Sequence, residues 1–168
     1  ENYYSNAVQF ALNHPDYRVI IKLKNPAPRY KELPIKVLNK FNGIKVSNLE
    51  ITSFLRTEEL ILDSQIILGF NSAVLIEALI ANKTIISPDF VDFGTDDYFV
   101  NNQSLVHYTN EYDEIEQIVM NYEDYQYCNN KEKQELIENL IYKADGKASQ
   151  RTESAIIETI EERRIKNK

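Results

Sequence analysis

The sequence predicts an α/β fold built on an open parallel sheet flanked by helices. Short β-rich apolar runs alternate with stretches of helical periodicity along nearly the whole chain, the pattern of a parallel sheet with crossover helices. One stretch, Ser64 to Leu79, carries a strand, a tight turn and a helix in immediate succession. The chain has 168 residues, 43% of them hydrophobic, enough for a substantial core in one domain.

Taken in order, Tyr3, Ala7, Phe10 and Ala11 fit the spacing of an amphipathic helix over 2–13. Asn13-His14-Pro15-Asp16 ends it. Tyr17 to Lys24 is β-rich and predicts the first strand. Asn25-Pro26-Ala27-Pro28 is a stiff turn. A helix follows over 29–41, with Pro34 in an early turn or splitting it. Ile44 to Val46 predicts a short strand and Asn48 to Phe54 a loop with room for a few extended residues. Thr57 is placed to cap a short helix, Glu58 to Leu62, with two carboxylates in its first turn where the helix dipole favours them.

Ile66, Ile67 and Leu68 form the next strand. Gly69 and Asn71 are turn formers. Ser72 is a good N-cap, and Ala73 to Ala81 suit a helix that is apolar nearly all round, with Glu77 its only charge. Lys83 to Ser87 is another strand, stopped by Pro88. Residues 89–103 read as a long aromatic loop, and loops of that length commonly carry function. Leu105 to Tyr108 is a short strand. Thr109 or Asn110 caps a helix over 111–122, whose Ile115, Ile118, Val119 and Tyr122 form one stripe. Leu136, Ile137, Leu140 and Ile141 share one side of a helix over 131–142. Ser149 caps the last helix, with Ile156, Ile157 and Ile160 inward. The whole chain, 1–168, is expected to be a single Rossmann-like domain, its last helix (149–165) packing back on the sheet or crossing to another domain.

The charge balance, 19 basic against 26 acidic residues for a net −7, argues against nucleic acid as a general partner. A single Cys128 cannot form an internal disulfide, so a reducing, cytoplasmic setting is the expectation. No apolar run approaches the ~20 residues of a membrane span. His14 and His107 lie far apart without metal-ligand spacing, and no Ser-His-Asp or Cys-His order stands out. No metal and no cofactor are expected.

Four groups are candidates to converge at the strand ends, where ligands of open α/β sheets bind. The Gly69-Phe70-Asn71-Ser72 turn offers the backbone N–H groups of Ser72 and Ala73 and the Ser72 hydroxyl to a phosphate. An ordinary N-cap is an equal alternative. Lys22 and Lys24, with Arg29 beyond them, could neutralise a diphosphate, against solvated edge charges. Glu77 could reach sugar hydroxyls, against a salt bridge or simple exposure. Asp89, after Pro88, reads first as a strand-ending turn.

The stretch 71–90, NSAVLIEALIANKTIISPDF, resembles the donor-binding signature of two-domain GT-B glycosyltransferases: Asn/Ser-Ser, an apolar helix with Glu-Ala, then a Lys-Pro-Val-Ile strand. RVIIKLKNP (18–26) resembles the Lys-x-His-Pro stretch of enzymes that build bacterial capsule and wall polymers, such as the CDP-glycerol glycerophosphotransferases and capsular Kdo transferases. ADGKASQR (144–151) is similar to their closing Asp-Gly-x-Ala-x-x-Arg segment. The resemblance implies the C-terminal, donor-nucleotide half of a GT-B fold. It implies donor phosphate at Ser72, a carboxylate at Glu77 facing the ribose, and a nucleotide sugar as donor substrate. It also implies a saccharide or lipid-linked acceptor held by an N-terminal domain that this chain lacks, and a parent enzyme at the inner face of the membrane. Lys24-Asn25 stands where the histidine is expected, and Thr84 where proline is usual. Gly69 occupies the position of the second Glu of retaining enzymes, which argues against that subclass. The chain alone is expected to hold a donor without turning it over. Two other readings stay open: a sugar-nucleotide 2-epimerase-like isomerase domain, and a non-catalytic α/β interaction domain.

Overall fold

The computed structural model describes residues 2–24, 28–41, 46–70, 72–88, 99, 103–126 and 130–166. It is an α/β protein with seven helices and two small parallel sheets among the described residues. The chain divides into two compact units, Glu1–Cys128 and Asn129–Lys168.

In the first unit, helix α1 (Asn2–Asn13) leads into strand β1 (Val19–Lys22). Helix α2 (Pro28–Lys40) runs unbroken through a fully buried Pro34. Strand β2 (Leu49–Thr52) then pairs parallel with β1, Val19 beside Leu49 and Lys22 beside Thr52. This strand lies where the sequence predicts a loop with a few extended residues, and Val46 is not in a strand; Ile44 lies outside the described residues. The cause is visible at Asn48. Its side-chain amide reaches the carbonyls of Ala11, His14 and Tyr17 at 2.9, 3.0 and 2.7 Å. That pins the chain beside β1 and sets the register of the residues that follow.

Helix α3 (Thr57–Asp63) begins one residue early: Arg56 is the N-cap, without a side-chain bond, and Thr57 is helical rather than capping. Strand β3 (Ile66–Leu68), helix α4 (Ala73–Ile80) and strand β4 (Thr84–Ser87) follow in the expected order. A 3-10 turn (Gln103–Leu105) precedes strand β5 (His107–Tyr108), and helix α5 (Tyr112–Met120) follows it. Glu111 is the N-cap of α5; the Thr109 hydroxyl accepts from the Glu111 N–H at 3.1 Å instead of capping the helix itself. The second sheet has the order β3-β4-β5, all parallel. Its central strand β4 is buried at all four positions.

Phe10 of α1, Ile86 of β4 and Ile115, Ile118 and Val119 of α5 form one buried cluster, with Val19, Ile66 and Leu68 packed against it. Strands from both sheets thus rest on the same apolar nucleus. Side chains alternate along a strand, so Ile66, Leu68 and Ile86 face α1 and α5, while Ile67, Ile85 and Ser87 face the opposite side, toward α4.

The second unit is helix α6 (Asn130–Ile141), a short loop and helix α7 (Ala148–Lys166). Ser149 lies inside α7 and does not cap it; the Asp145 carboxylate instead accepts from the Lys147 N–H at 3.0 Å just before the helix. Ile156, Ile157 and Ile160, expected inward, are about half exposed. On α6 only Leu136 of the expected apolar side is fully buried; Leu140 and Ile141 are exposed. Among the described residues no helix is long and apolar enough to cross a membrane.

Candidate functional site

The β3–α4 connection sits at the ends of two parallel strands. Leu68 is in register with Ile86, so Gly69 follows beside Ser87, and the Gly69 N–H donates to the Ile86 carbonyl at 3.1 Å. Glycine is favoured here for a steric reason. An added Cβ would stand 2.7 Å from Leu75 Cδ2, far inside carbon–carbon contact. Its backbone is not left-handed; Gly146 alone among the described glycines has positive φ.

Ser72 is the N-cap of α4, with extended backbone (φ −131°, ψ 137°). Its hydroxyl accepts from the Val74 N–H at 3.4 Å, and its carbonyl from the Leu75 N–H at 2.9 Å. Ala73, at the head of the helix, is exposed. Leu75, Ile76, Ala78 and Leu79 anchor α4 on the sheet, and Glu77 is exposed. Its carboxylate therefore needs no buried partner, in contrast to the cost expected for a charge on so apolar a helix. Asn71 and Asp89 lie outside the described residues, as does the side chain of Arg29.

Lys22 ends β1 at the tip of the other sheet. Its ammonium donates to the Leu23 carbonyl at 2.9 Å and the Ser53 carbonyl at 3.4 Å. It closes the ends of β1 and β2, a structural role beside the expected phosphate role. Lys24 is exposed. The strand ends thus bring Gly69, Ser72 and Ala73 into one turn, with Glu77 about one helical turn further on. Lys22 and Lys24 belong to the neighbouring sheet.

One residue at these tips is absent from the sequence-based set. The Tyr3 hydroxyl donates to the same Ile86 carbonyl at 2.9 Å, across 83 residues. Burial pushes the phenol well above its ordinary range, and the Gly69 amide partly counters that. Tyr3 is legible in sequence only as part of an apolar stripe; the signal that it does more is that a buried tyrosine hydroxyl needs a polar partner. Three buried hydroxyls lack a partner among the described residues, on Ser53, Thr84 and Ser87. Two of them, Ser53 and Ser87, sit at C-terminal strand ends.

The histidines have structural partners. His14 Nε2 lies 2.7 Å from Glu116 and its ring stacks on Phe10. The Tyr112 hydroxyl donates to the same Glu116 oxygen at 2.6 Å, and these two bonds hold the Glu116 carboxyl below its usual range. His107 Nε2 lies 3.0 Å from the Tyr125 carbonyl. Among the described residues no three His, Cys, Asp or Glu side chains gather as metal ligands. An open cavity of about 510 Å³ lies between β5 and α5, lined by His107, Thr109, Glu114, Gln117 and Tyr125 among others; none of the expected site residues lines it.

The geometry defines a class: an α/β protein with a capped helix start at the tips of a parallel sheet. No family model, no curated protein and no solved structure matches the chain.

Proposed function

We propose that this chain is the nucleotide-sugar donor-binding part of a glycosyltransferase that builds bacterial surface polysaccharide, the C-terminal half of a GT-B fold. The observation that carries the reading is the turn from β3 into α4, where an exposed Ala73 heads a helix capped by Ser72 beside the end of β4. A helix start offers partial positive charge and backbone donors to a phosphate. The sequence resemblance over 71–90 falls on the same turn. In this reading Ser72 and Ala73 hold the donor phosphates, Glu77 meets the ribose hydroxyls, and Lys22 and Lys24 supply cationic charge nearby. The parent enzyme would accelerate transfer by positioning the donor and stabilising the leaving phosphate electrostatically. Its acceptor, a saccharide or lipid-linked glycan, would be held by a separate N-terminal domain, and the parent would work at the inner face of the membrane.

Titrating the chain with CMP, CDP, UDP and GDP tests this. One nucleotide should bind with clear preference, and Ser72→Trp should abolish that binding while costing only about 1 kcal/mol of cap stability. A second reading, a non-catalytic interaction domain, is favoured by one observation: the Lys22 ammonium is hydrogen-bonded to two backbone carbonyls. Absence of binding by all four nucleotides at millimolar concentration would select it.

A further inference from the structure

We propose that Tyr3 is a positioning residue for the donor phosphates, acting through the Gly69 turn; this deepens the donor-binding reading above and rests on it. The turn is held from both faces of the sheet. From the α4 side, Leu75 packs against the bare Cα of Gly69 so closely that an added Cβ would push its Cδ2 aside. From the α1 side, the Tyr3 hydroxyl reaches the carbonyl of Ile86, the same oxygen that receives the Gly69 N–H. A carbonyl oxygen has two lone pairs, and both are engaged here. The two donors together fix where β3 ends and the direction in which the chain leaves for Ser72.

A second feature of the same spot points to a ligand. The Ser87 hydroxyl is completely buried, has no partner among the described residues, and lies on the α4 face of the sheet in register with Gly69. A buried hydroxyl without a partner is uncommon in a finished core. Here it lies beside the turn that leads to the head of α4. Tyr3 therefore sets the geometry of a polar strand tip, where Gly69 and the first amides of α4 meet the phosphates with the buried Ser87 hydroxyl beside the turn.

The experiment compares the full chain with Tyr3→Phe and with Val8→Ala. Val8 is a fully buried residue of the same helix, so its truncation destabilises α1 without touching the tip. Each protein is titrated calorimetrically with CDP, UDP, GDP and ADP, and its melting temperature is recorded. Loss of one hydrogen bond at the turn should weaken the preferred diphosphate roughly three- to tenfold in Tyr3→Phe. Val8→Ala should lower the melting temperature at least as much and leave affinity unchanged. Equal binding by Tyr3→Phe, or an equal loss of binding in Val8→Ala, overturns the positioning role and leaves donor binding standing. Failure of the wild-type chain to bind any of these four or CMP removes the donor reading itself, and this inference with it. A further measurement needs no variant: at saturation with the preferred diphosphate, the NMR signals of the Tyr3 ring and Gly69 amide should shift together with those of Ser72 and Ala73. A Tyr3 ring that does not move while Ser72 does also overturns the proposal.

Discussion

Replacing Gly69 by alanine tests the tightest contact in the β3–α4 turn. The new Cβ would lie 2.7 Å from Leu75 Cδ2, 3.5 Å from Cγ and 3.9 Å from Cδ1. Carbon atoms pack best at about 3.5–4.0 Å, so the methyl arrives roughly 1 Å too close to Cδ2. Leu75 is 1% exposed, and its terminal methyl must turn into a packed core. Overpacking of that kind costs about 1–3 kcal/mol. Alanine returns about 0.4–1 kcal/mol by restricting the unfolded chain, since the backbone at 69 is not left-handed. The net expectation is a loss of about 0–2.6 kcal/mol, at roughly 2–4 °C in melting temperature for each kcal/mol. Urea unfolding of wild type, Gly69→Ala, Leu75→Ala and the double variant isolates the cause. Leu75→Ala alone should cost about 2–5 kcal/mol. In its background only the unfolded-chain gain of about 0.4–1 kcal/mol should remain, a coupling of about 1–3 kcal/mol. Additive losses would show that the glycine serves something other than this contact.

Two further outcomes follow from the side-chain chemistry. The Glu116 carboxylate accepts from Tyr112 and His14 and is held below its usual range. A depressed carboxyl contributes stability that is present above its unfolded value, about 4.3, and is lost as pH falls through the lower folded value. Urea unfolding across pH 3–6 should therefore show wild type losing its advantage over Glu116→Gln below about pH 4, whereas parallel profiles would refute the assignment. In the second unit, Arg151 donates twice to Asp145, at 2.8 and 2.9 Å, and holds its carboxyl low. Arg151→Ala should let Asp145 titrate closer to the ordinary value, about 3.9, read from its side-chain carbon shift by NMR; an unmoved titration would mean that the Lys147 amide alone suffices.

How much of this fold can be read from sequence depends on how local the determinants are. Strand β3, the Ser72 cap and α4 are specified within 15 residues by an apolar run, a turn and a cap, and each appears where the local chemistry puts it. Strand β2 is different. Leu49-Glu50-Ile51-Thr52 follows Asn48, which reads as the start of a loop, and what fixes it as a strand is Asn48 reaching three carbonyls up to 37 residues away. Gly69 illustrates a right residue with another reason: it reads as a turn former, yet its backbone is ordinary and the pressure comes from Leu75. Tyr3 is the harder case. Its bond to Ile86 spans 83 residues, and no local pattern separates a stripe tyrosine that only packs from one that also closes a strand tip. The isoleucines of α7 fail in the opposite sense, since helical periodicity reports which residues share a face and not whether anything covers it.

The segment Asp145 to Arg151 bears on where the weight of the functional reading falls. Asp145 receives the Lys147 N–H and the Arg151 guanidinium, Gly146 adopts φ +72° with open space around it, and Arg151 also reaches the Lys143 carbonyl at 3.3 Å. The same guanidinium lies 5.4 Å from the centre of the Tyr142 ring. Each polar residue of the motif is thus satisfied within its own loop. The Asp-Gly-x-Ala-x-x-Arg pattern is accounted for by a left-handed glycine, an aspartate closing the turn and an arginine clamping it across one helical turn, with no ligand needed to explain it. Resemblance at this segment speaks for a shared way of starting a helix. At the β3–α4 turn, by contrast, the fully buried Ser87 hydroxyl has no partner among the described residues and Ala73 heads its helix exposed.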